Sequence, residues 1–542
     1  MRQEQLSGTE IALSYGMTSV TSYEDLGSKS AVHLELENED LLPATSASPL
    51  RGSPVPPKPG PFLPFTVVLT LIVLTLVFIL ARGKVADPDI WWHLHNAEHL
   101  VRNHSLPRHD MYSFTVAGHP WMNHEWLGEL PFYFAWKALG ISGIDALTVT
   151  LLSLIYLGVL YLAWKASRNF KAATIATICA VFLGKGSFGP RTILFGYLLL
   201  VCLLIVLQRF RETRRPAPLW LIPLMFGVWI NTHGSWSLGM IVFSVIVAGG
   251  LFNLRWGWIE SDLWTSQQKK QLLTVWGASI PFLFLNPYGW RLVFYPLDLA
   301  FRQKTNVEHI VEWASLNFHD GRGKFALLLL FVLLIGVLIR PRRWTVSEFA
   351  LLLFAVYSGF TYVRFLCLMG ILLTPVLARV LDFVPPYRPD SDTPVLNSAV
   401  ALLMIVGTLH YWPTQSQLNN IVRDQYPARA LTYVSAHRIN GPLFNYYLWG
   451  GYINWQQPAV KIFIDSRADI FDYTGVFREY LDVVAIQNSD AILDKYRVRY
   501  VLLPHNEPLT YLLDHGARWT RVYSDDNAVL FEKKNSASGV AE

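Results

Sequence analysis

The chain has 542 residues, 52% of them hydrophobic and only 16% charged, against roughly 25% charge in an ordinary globular protein, so a plain soluble fold is excluded. The 45 basic and 40 acidic residues leave a formal charge of only +5, too weak for a nucleic-acid footprint, and no nucleic acid is expected as a partner. The three cysteines, Cys179, Cys202 and Cys367, lie in apolar stretches and supply neither a disulfide framework nor a metal knuckle.

Residues 1–60 are rich in Ser, Pro, Glu and Gly and read as a disordered cytoplasmic tail. At 61–80 the composition switches to an uncharged run of Leu, Val, Ile, Phe and Thr, long enough to cross about 30 Å of hydrocarbon as a helix. Further apolar runs lie near 145–164, 172–184, 193–208, 218–231, 236–252, 272–286, 325–340, 346–361, 365–381 and 395–412, which predicts about eleven transmembrane helices. Lys and Arg gather in the loops 165–171, 209–217, 253–271 and 340–345, placing these and the N-terminus in the cytoplasm. The opposite loops, 83–127, 185–192, 232–235, 287–324 and the turn at 362–364, then face outward and hold most of the His, Trp, Asn and acidic motifs.

Beyond the last run the chain turns polar. Alternations at 461–465 and 499–503 suit strands, 427–437, 476–486 and 490–496 suit amphipathic helices, and 519–531 suits a strand pair around Asp525-Asp526-Asn527. The expected architecture is a polytopic α-helical membrane protein with a core at 61–412, a C-terminal extracytoplasmic α/β domain at 413–534 and a tail at 535–542. No internal repeat is visible.

The first outward loop is the most informative segment. Asp87-Pro88-Asp89-Ile90-Trp91-Trp92-His93 follows the first run, and seven of the fifteen histidines fall between His93 and His124. Asp89, with Asp87 beside it, is placed to act as a base on a lipid-borne substrate; alternatively it only caps a helix starting at Ile90 while the tryptophans anchor that helix at the headgroups. His95 and His99 either chelate a metal or are simply solvated, and two ligands leave a zinc site incomplete. His124-Glu125-Trp126-Leu127-Gly128 opens like an HExxH helix, but Gly128 stands where the second histidine is needed. Glu125 sits where the chain re-enters the membrane, a costly place for a carboxylate that is neither paired nor functional.

Arg191 and Arg364 lie in outward turns. A planar guanidinium fork suits a phosphate or pyrophosphate, although both can equally snorkel or pair with carboxylates. His233, in Asn231-Thr232-His233-Gly234, and Glu312, in Val311-Glu312-Trp313, fall on the same face, whereas Asn286-Pro287-Tyr288-Gly289 reads as a helix stop and turn. Near the C-terminus, Gly450-Gly451-Tyr452 permits either close ligand approach or a tight turn, and Asp465 and Arg467 are close enough in sequence to pair with one another.

The motifs DPDIWWH (87–93), NHEWL (123–127), NTHG (231–234), NPYGW (286–290), VEW (311–313), GGY (450–452) and FIDSR (463–467) together resemble the GT-C superfamily of membrane glycosyltransferases, in a bacterial branch, over roughly residues 61–534. The resemblance implies a polyprenyl-phosphate-linked sugar donor, a lipid, glycan or protein acceptor, and reaction at the extracytoplasmic face of the bacterial inner membrane. It makes Asp89 the base or acceptor-orienting residue, with Asp87 and Glu125 as catalytic neighbours, and puts Arg191 and Arg364 at the donor phosphate. His93, His124, His233, Glu312, Tyr452, Asp465 and Arg467 are the expected substrate contacts. A divalent metal, Mg or Mn, stays open, since no second acidic pair stands beside Asp87-Pro88-Asp89. Two rivals are a transporter or flippase of lipid-linked glycans, which predicts paired halves and mid-span ionisable residues, and a non-catalytic envelope scaffold.

Overall fold

A long uncharged run satisfies its backbone without water only by coiling into a helix. The computed structural model, which describes residues 63–340 and 343–534, has a helix at each of the eleven apolar runs. The expected tails at 1–60 and 535–542 lie outside the described residues. In chain order the helices are α1 (Phe65–Ala81), α2 (Pro88–Asn103), α3 (Trp126–Leu139), α4 (Ile141–Ser167), α5 (Phe170–Gly184), α6 (Ile193–Thr213), α7 (Leu221–Thr232) and α8 (Trp236–Ala248). They continue as α9 (Ser266–Phe282), α10 (Trp290–Arg302), α11 (Lys304–His309), α12 (Gly321–Ile339), α13 (Val346–Thr361), α14 (Leu366–Val380) and α15 (Pro394–His410).

Four stretches, Ile141–Ser167, Ile193–Thr213, Gly321–Ile339 and Val363–Val380, are each long and apolar enough to cross a membrane. Every residue from Leu366 to Thr374 is buried, as expected of a helix that is apolar all round and enclosed by neighbours; α4, α5 and α13 surround it. Helices α4 and α6 end on Arg168 and Arg214 in the left-handed conformation (φ 58° and 57°), each a basic residue beside the negative end of its helix dipole.

A ribbon of three two-residue strands, β1 (Arg255–Trp256), β2 (Ile259–Glu260) and β3 (Trp344–Thr345), joins two loops at one end of the helices. The polar C-terminal stretch folds as α16 (Gln415–Gln425), α17 (Ala428–Ala436), β4 (Leu443–Asn445), α18 (Gly450–Gln456), α19 (Ala468–Tyr473), α20 (Val476–Val484), α21 (Ser489–Lys495), β5 (Tyr500–Pro504), α22 (Pro508–His515), β6 (Trp519–Ser524) and β7 (Ala528–Lys533). The sheet order is β4-β5-β7-β6, with β4 parallel to β5 and the other pairs antiparallel. Asp525 closes the β6–β7 turn by accepting the N–H groups of Asn527 (2.8 Å) and Ala528 (2.9 Å).

The strand expected at 461–465 is not one. Only Ile462 makes bridges, to Leu443 and Ser113, because the neighbouring backbone is taken by other partners. The Asn445 side chain accepts the Phe463 N–H at 2.9 Å and donates to the Ile464 carbonyl at 2.8 Å. From the first loop, the Phe114 N–H donates to the Ile462 carbonyl (3.0 Å) and the Thr115 hydroxyl to the Phe463 carbonyl (2.6 Å).

The first loop and the sheet share one core, in which Trp92, Val116 and Trp121 pack with Phe444, Phe463 and Phe531. Gly450 and Gly451 open helix α18 rather than forming a turn. A Cβ on Gly451 would stand 2.8 Å from the Pro88 carbonyl, and one on Gly450 would stand 2.2 Å from the Ile464 carbonyl. Gly451 therefore lets α18 approach the start of α2, and Gly450 lets it approach the 464–465 backbone.

Candidate active site

Aspartate followed by proline is a strong helix start, since Pro has no N–H to leave unsatisfied and Asp accepts one of the orphan donors. Asp87 caps α2, its Oδ1 accepting the Asp89 N–H at 3.0 Å. The helix thus begins two residues before the expected Ile90, so Asp87 and not Asp89 is the cap. Asp89 is released from that duty. Its half-buried carboxylate accepts from the Trp92 indole N–H at 3.3 Å, and that indole also donates to the Ser466 hydroxyl at 3.1 Å. Burial, and next the Asp87 carboxylate, push Asp89 up to about 6, against the opposing pull of Arg191, His93 and Ser466.

Arg191 donates through Nε to Asp87 Oδ2 at 2.5 Å and through Nη1 to Glu312. Burial works against the Glu312 charge, but Arg191 and Arg364 outweigh it and hold its carboxyl below the usual range. Arg364 stacks 4.1 Å from the Trp313 ring centroid, and its buried Nε has no hydrogen-bond partner. Of the two arginines expected at a phosphate, one is committed to carboxylates and the other keeps a donor open.

A second cluster continues from the same face of α2, where His93 follows Asp89 by one helical turn. Glu125 is its hub. His93 Nε2 lies 3.4 Å from one carboxylate oxygen, and His124 Nε2 (3.4 Å) and His233 Nε2 (3.3 Å) meet the other. Burial opposes ionisation of Glu125, yet His124, His233 and His93 together hold its pKa well below the ordinary carboxylate range. His93 also meets Glu129 through Nδ1 at 3.0 Å. Burial disfavours its charge, but the Glu129 contact and the two glutamates prevail, so its pKa is raised. His233 goes the other way. Its Nδ1 accepts the Ser235 N–H at 2.9 Å, and burial lowers it to about 4, which leaves a neutral ring with its proton on Nε2, facing Glu125.

Asp465 and Arg467 pair with each other, as their spacing allowed. Arg467 Nε bridges both Asp465 oxygens (2.9 and 3.1 Å), and Nη2 donates to Asp465 Oδ2 (2.8 Å) and to Asp110 Oδ1 (2.6 Å). The guanidinium lies between the Tyr112 and Trp121 rings, 4.6 and 4.8 Å from their centroids, and is 3% exposed. This unit ties the first loop to the C-terminal stretch, and only the buried Nη1 of Arg467 is left without a partner among its guanidinium nitrogens. Tyr452 is likewise buried, stacked on Tyr426 and edge-on to Trp91. His95 packs on Tyr112 and His99 pairs with Asn103, so the two are separately engaged.

Four residues escaped the sequence reading. Glu129 accepts from Asn96 (3.1 Å) and Asn123 (2.8 Å) besides His93; its spacing of four from Glu125 on a helix was the available signal. Ser466 stands at Asp89 through Trp92, within the FIDSR motif. Asp469 accepts from the Trp121 indole and the Tyr295 hydroxyl, both at 3.3 Å, and Tyr295 packs on His124 with ring centroids 4.5 Å apart; nothing in the sequence links these three.

Among the described residues no group of three His, Cys, Asp or Glu side chains is arranged to hold a metal ion. Asp87 has both oxygens engaged, one by the Asp89 N–H and one by Arg191, so the Asp-Pro-Asp pair does not offer two free carboxylates to a cation.

No family model matches the sequence, and no curated protein does. Solved structures do. The Archaeoglobus fulgidus oligosaccharyltransferase tethered with an acceptor peptide matches 81% of this chain over 69% of its own, at 13% identity and a TM-score of 0.52. ArnT from Cupriavidus metallidurans, bound to undecaprenyl phosphate, matches 87% of this chain over 98% of its own, at 14% identity and a TM-score of 0.49. The first likeness shows that this chain shares a fold with that protein.

Proposed function

We propose that the chain is a membrane glycosyltransferase of GT-C type, which moves a sugar from a polyprenyl-phosphate-linked donor to a lipid, glycan or protein acceptor outside the cytoplasm. The observation that carries this reading is the Asp89 carboxylate, uncommitted to capping, raised to about 6 and backed by the Asp87–Arg191–Glu312 chain. A carboxylate with that pKa is ionised at neutral pH and is a stronger base than a solvated one. The fold likeness to an oligosaccharyltransferase supports the same class.

The step is a displacement at the anomeric carbon. The acceptor hydroxyl oxygen forms the new bond to that carbon, its proton passes to Asp89, and the bond to the lipid phosphate breaks with its electrons going to the phosphate oxygen. Positive charge is needed where that oxygen gains charge. Arg364, with its open Nε, supplies it directly, and Arg191 holds Asp87 and Glu312 in place beside it. Glu125 and its three histidines hold α2 through His93, which is buried, and only His124 and His233 keep surface with which to meet a substrate. The side chains of Asp465, Arg467 and Tyr452 frame the site rather than line it.

In this reading the eleven helices at the apolar runs are the membrane spans, the N-terminus is cytoplasmic, and 413–534 is an extracytoplasmic unit over the site in a bacterial inner membrane. Support comes from the meeting of residues from all five outward loops, Asp87, Glu125, Arg191, His233, Glu312 and Arg364, at one end of the bundle. No step is assigned to a metal, since among the described residues the carboxylates do not form a cation site. Transfer from radiolabelled polyprenyl-phosphate sugars by purified protein in lipid, wild type against Asp89→Asn, tests the reading: loss in a folded variant supports it, and undiminished transfer contradicts it.

A further inference from the structure

Helix α10 lies outside the apolar runs and has a periodicity that the proposed chemistry does not use. Trp290, Phe294, Leu297 and Phe301 are 62%, 53%, 54% and 74% exposed. At about 100° per residue these four fall within about 60° of one another. The opposite face is engaged: Leu292 and Tyr295 are buried, and Tyr295 bonds Asp469 and packs on His124. Between the two faces runs an edge of Arg291, Asp298 and Arg302, the last two paired at 3.4 Å.

Thirteen residues make a helix of about 20 Å, too short for a span of about 30 Å. A short helix with an aromatic apolar stripe and a basic edge lies flat in a headgroup layer, its stripe turned to the acyl chains. Phe284 and Leu285, just before α10 in the chain, are exposed as well. The helix's two arginines stand where lipid phosphates would be.

We propose that α10 docks on the lipid surface at the site's own face of the membrane, sinking Trp290, Phe294, Leu297 and Phe301 among the lipid chains. A groove of about 640 Å³ along the same helix, bounded by Trp121, Tyr295, Asp469 and Tyr473, then opens sideways toward lipid. A lipid-borne molecule reaches Asp469 and Trp121 there without leaving the bilayer.

The test is spin labelling of the full chain in phosphatidylglycerol-containing vesicles, with Cys179, Cys202 and Cys367 replaced by alanine and single cysteines at 290, 294, 297, 301, 291 and 302. Power saturation compares collisions with oxygen, which concentrates in lipid, and with a water-soluble nickel chelate. Labels at the four stripe positions should show an oxygen-to-nickel ratio several-fold above that of labels at 291 and 302. Using four stripe positions means that one misfolded variant does not decide the result. Equal ratios at stripe and edge overturn the proposal, as do stripe labels shielded from both reagents, which would mean that a protein covers the face. Neither outcome depends on whether Asp89 is a base.

Discussion

Arg191 joins Asp87 to Glu312, reaching the first carboxylate through Nε at 2.5 Å and the second through Nη1. Asp87 spends its other oxygen on the start of α2, so one guanidinium fixes the helix that carries Asp89 to the loop that carries Glu312. Arg191→Lys keeps the charge but loses the fork that spans two carboxylates. Transfer by this variant is expected to fall at least about tenfold, equivalent to about 1.4 kcal/mol, with the loss in kcat. A lysine variant at wild-type rate would show that charge alone suffices.

Asp89→Asn is expected to abolish transfer and yet stabilise the protein at pH 7.5. With its pKa raised from 3.8 to about 6, Asp89 contributes stability that is fully present below about 3.8 and lost as pH rises through about 6. Removing the charge restores about 1–2 kcal/mol after discounting the shift for partial exposure. Thermal unfolding at pH 5 and 7.5 reads this directly, and the gap between wild type and variant should shrink at the lower pH. The same titration predicts that kcat/KM rises with pH and levels off above about 6 to 7.

Glu125→Gln should behave in the opposite way. The lowered pKa of Glu125 gives stability that is present above its unfolded value near 4.5 and is lost only as pH falls through the much lower folded value. Replacing the hub strips His124 of its paired carboxylate and leaves His93 with Glu129 alone, at a cost of about 3 kcal/mol. A Glu125→Gln protein as stable as wild type at neutral pH would contradict the pairing.

The two arginine sites are expected to separate by what they change. Arg364→Ala removes an open donor stacked on Trp313 and should raise the donor KM about tenfold while leaving the fold intact. Arg467→Ala strips the buried partner from Asp465 and Asp110 and should cost about 3–5 kcal/mol of stability. An effect of Arg467→Ala confined to donor KM in a fully stable protein would return it to the substrate contacts.

The helices were legible because apolar composition dictates them, and α1 to α15 cover all eleven runs. The candidate site was legible as separate motifs, since Asp87, Glu125, Arg191, His233, Glu312 and Arg364 each stood out by type and place. Their pairing was not, because Asp87 meets Arg191 across 104 positions and no periodicity links loops so far apart. The alternative of a cap on Asp89 fails because Pro88 is itself the first helical residue, which puts Asp87 at the cap. The 461–465 segment alternates like a strand, yet the Asn445 side chain and the first loop take its backbone groups, a tertiary competition that alternation does not reveal.

The most direct test of the central claim is transfer from a set of radiolabelled polyprenyl-phosphate sugars to membrane lipid, glycan and protein fractions, by wild type and by folded Asp89→Asn, each with and without EDTA. The account predicts transfer by wild type and its loss in the variant, and the EDTA arm decides whether a divalent metal takes part. Undiminished transfer by Asp89→Asn, or no transfer by wild type from any donor, would contradict it.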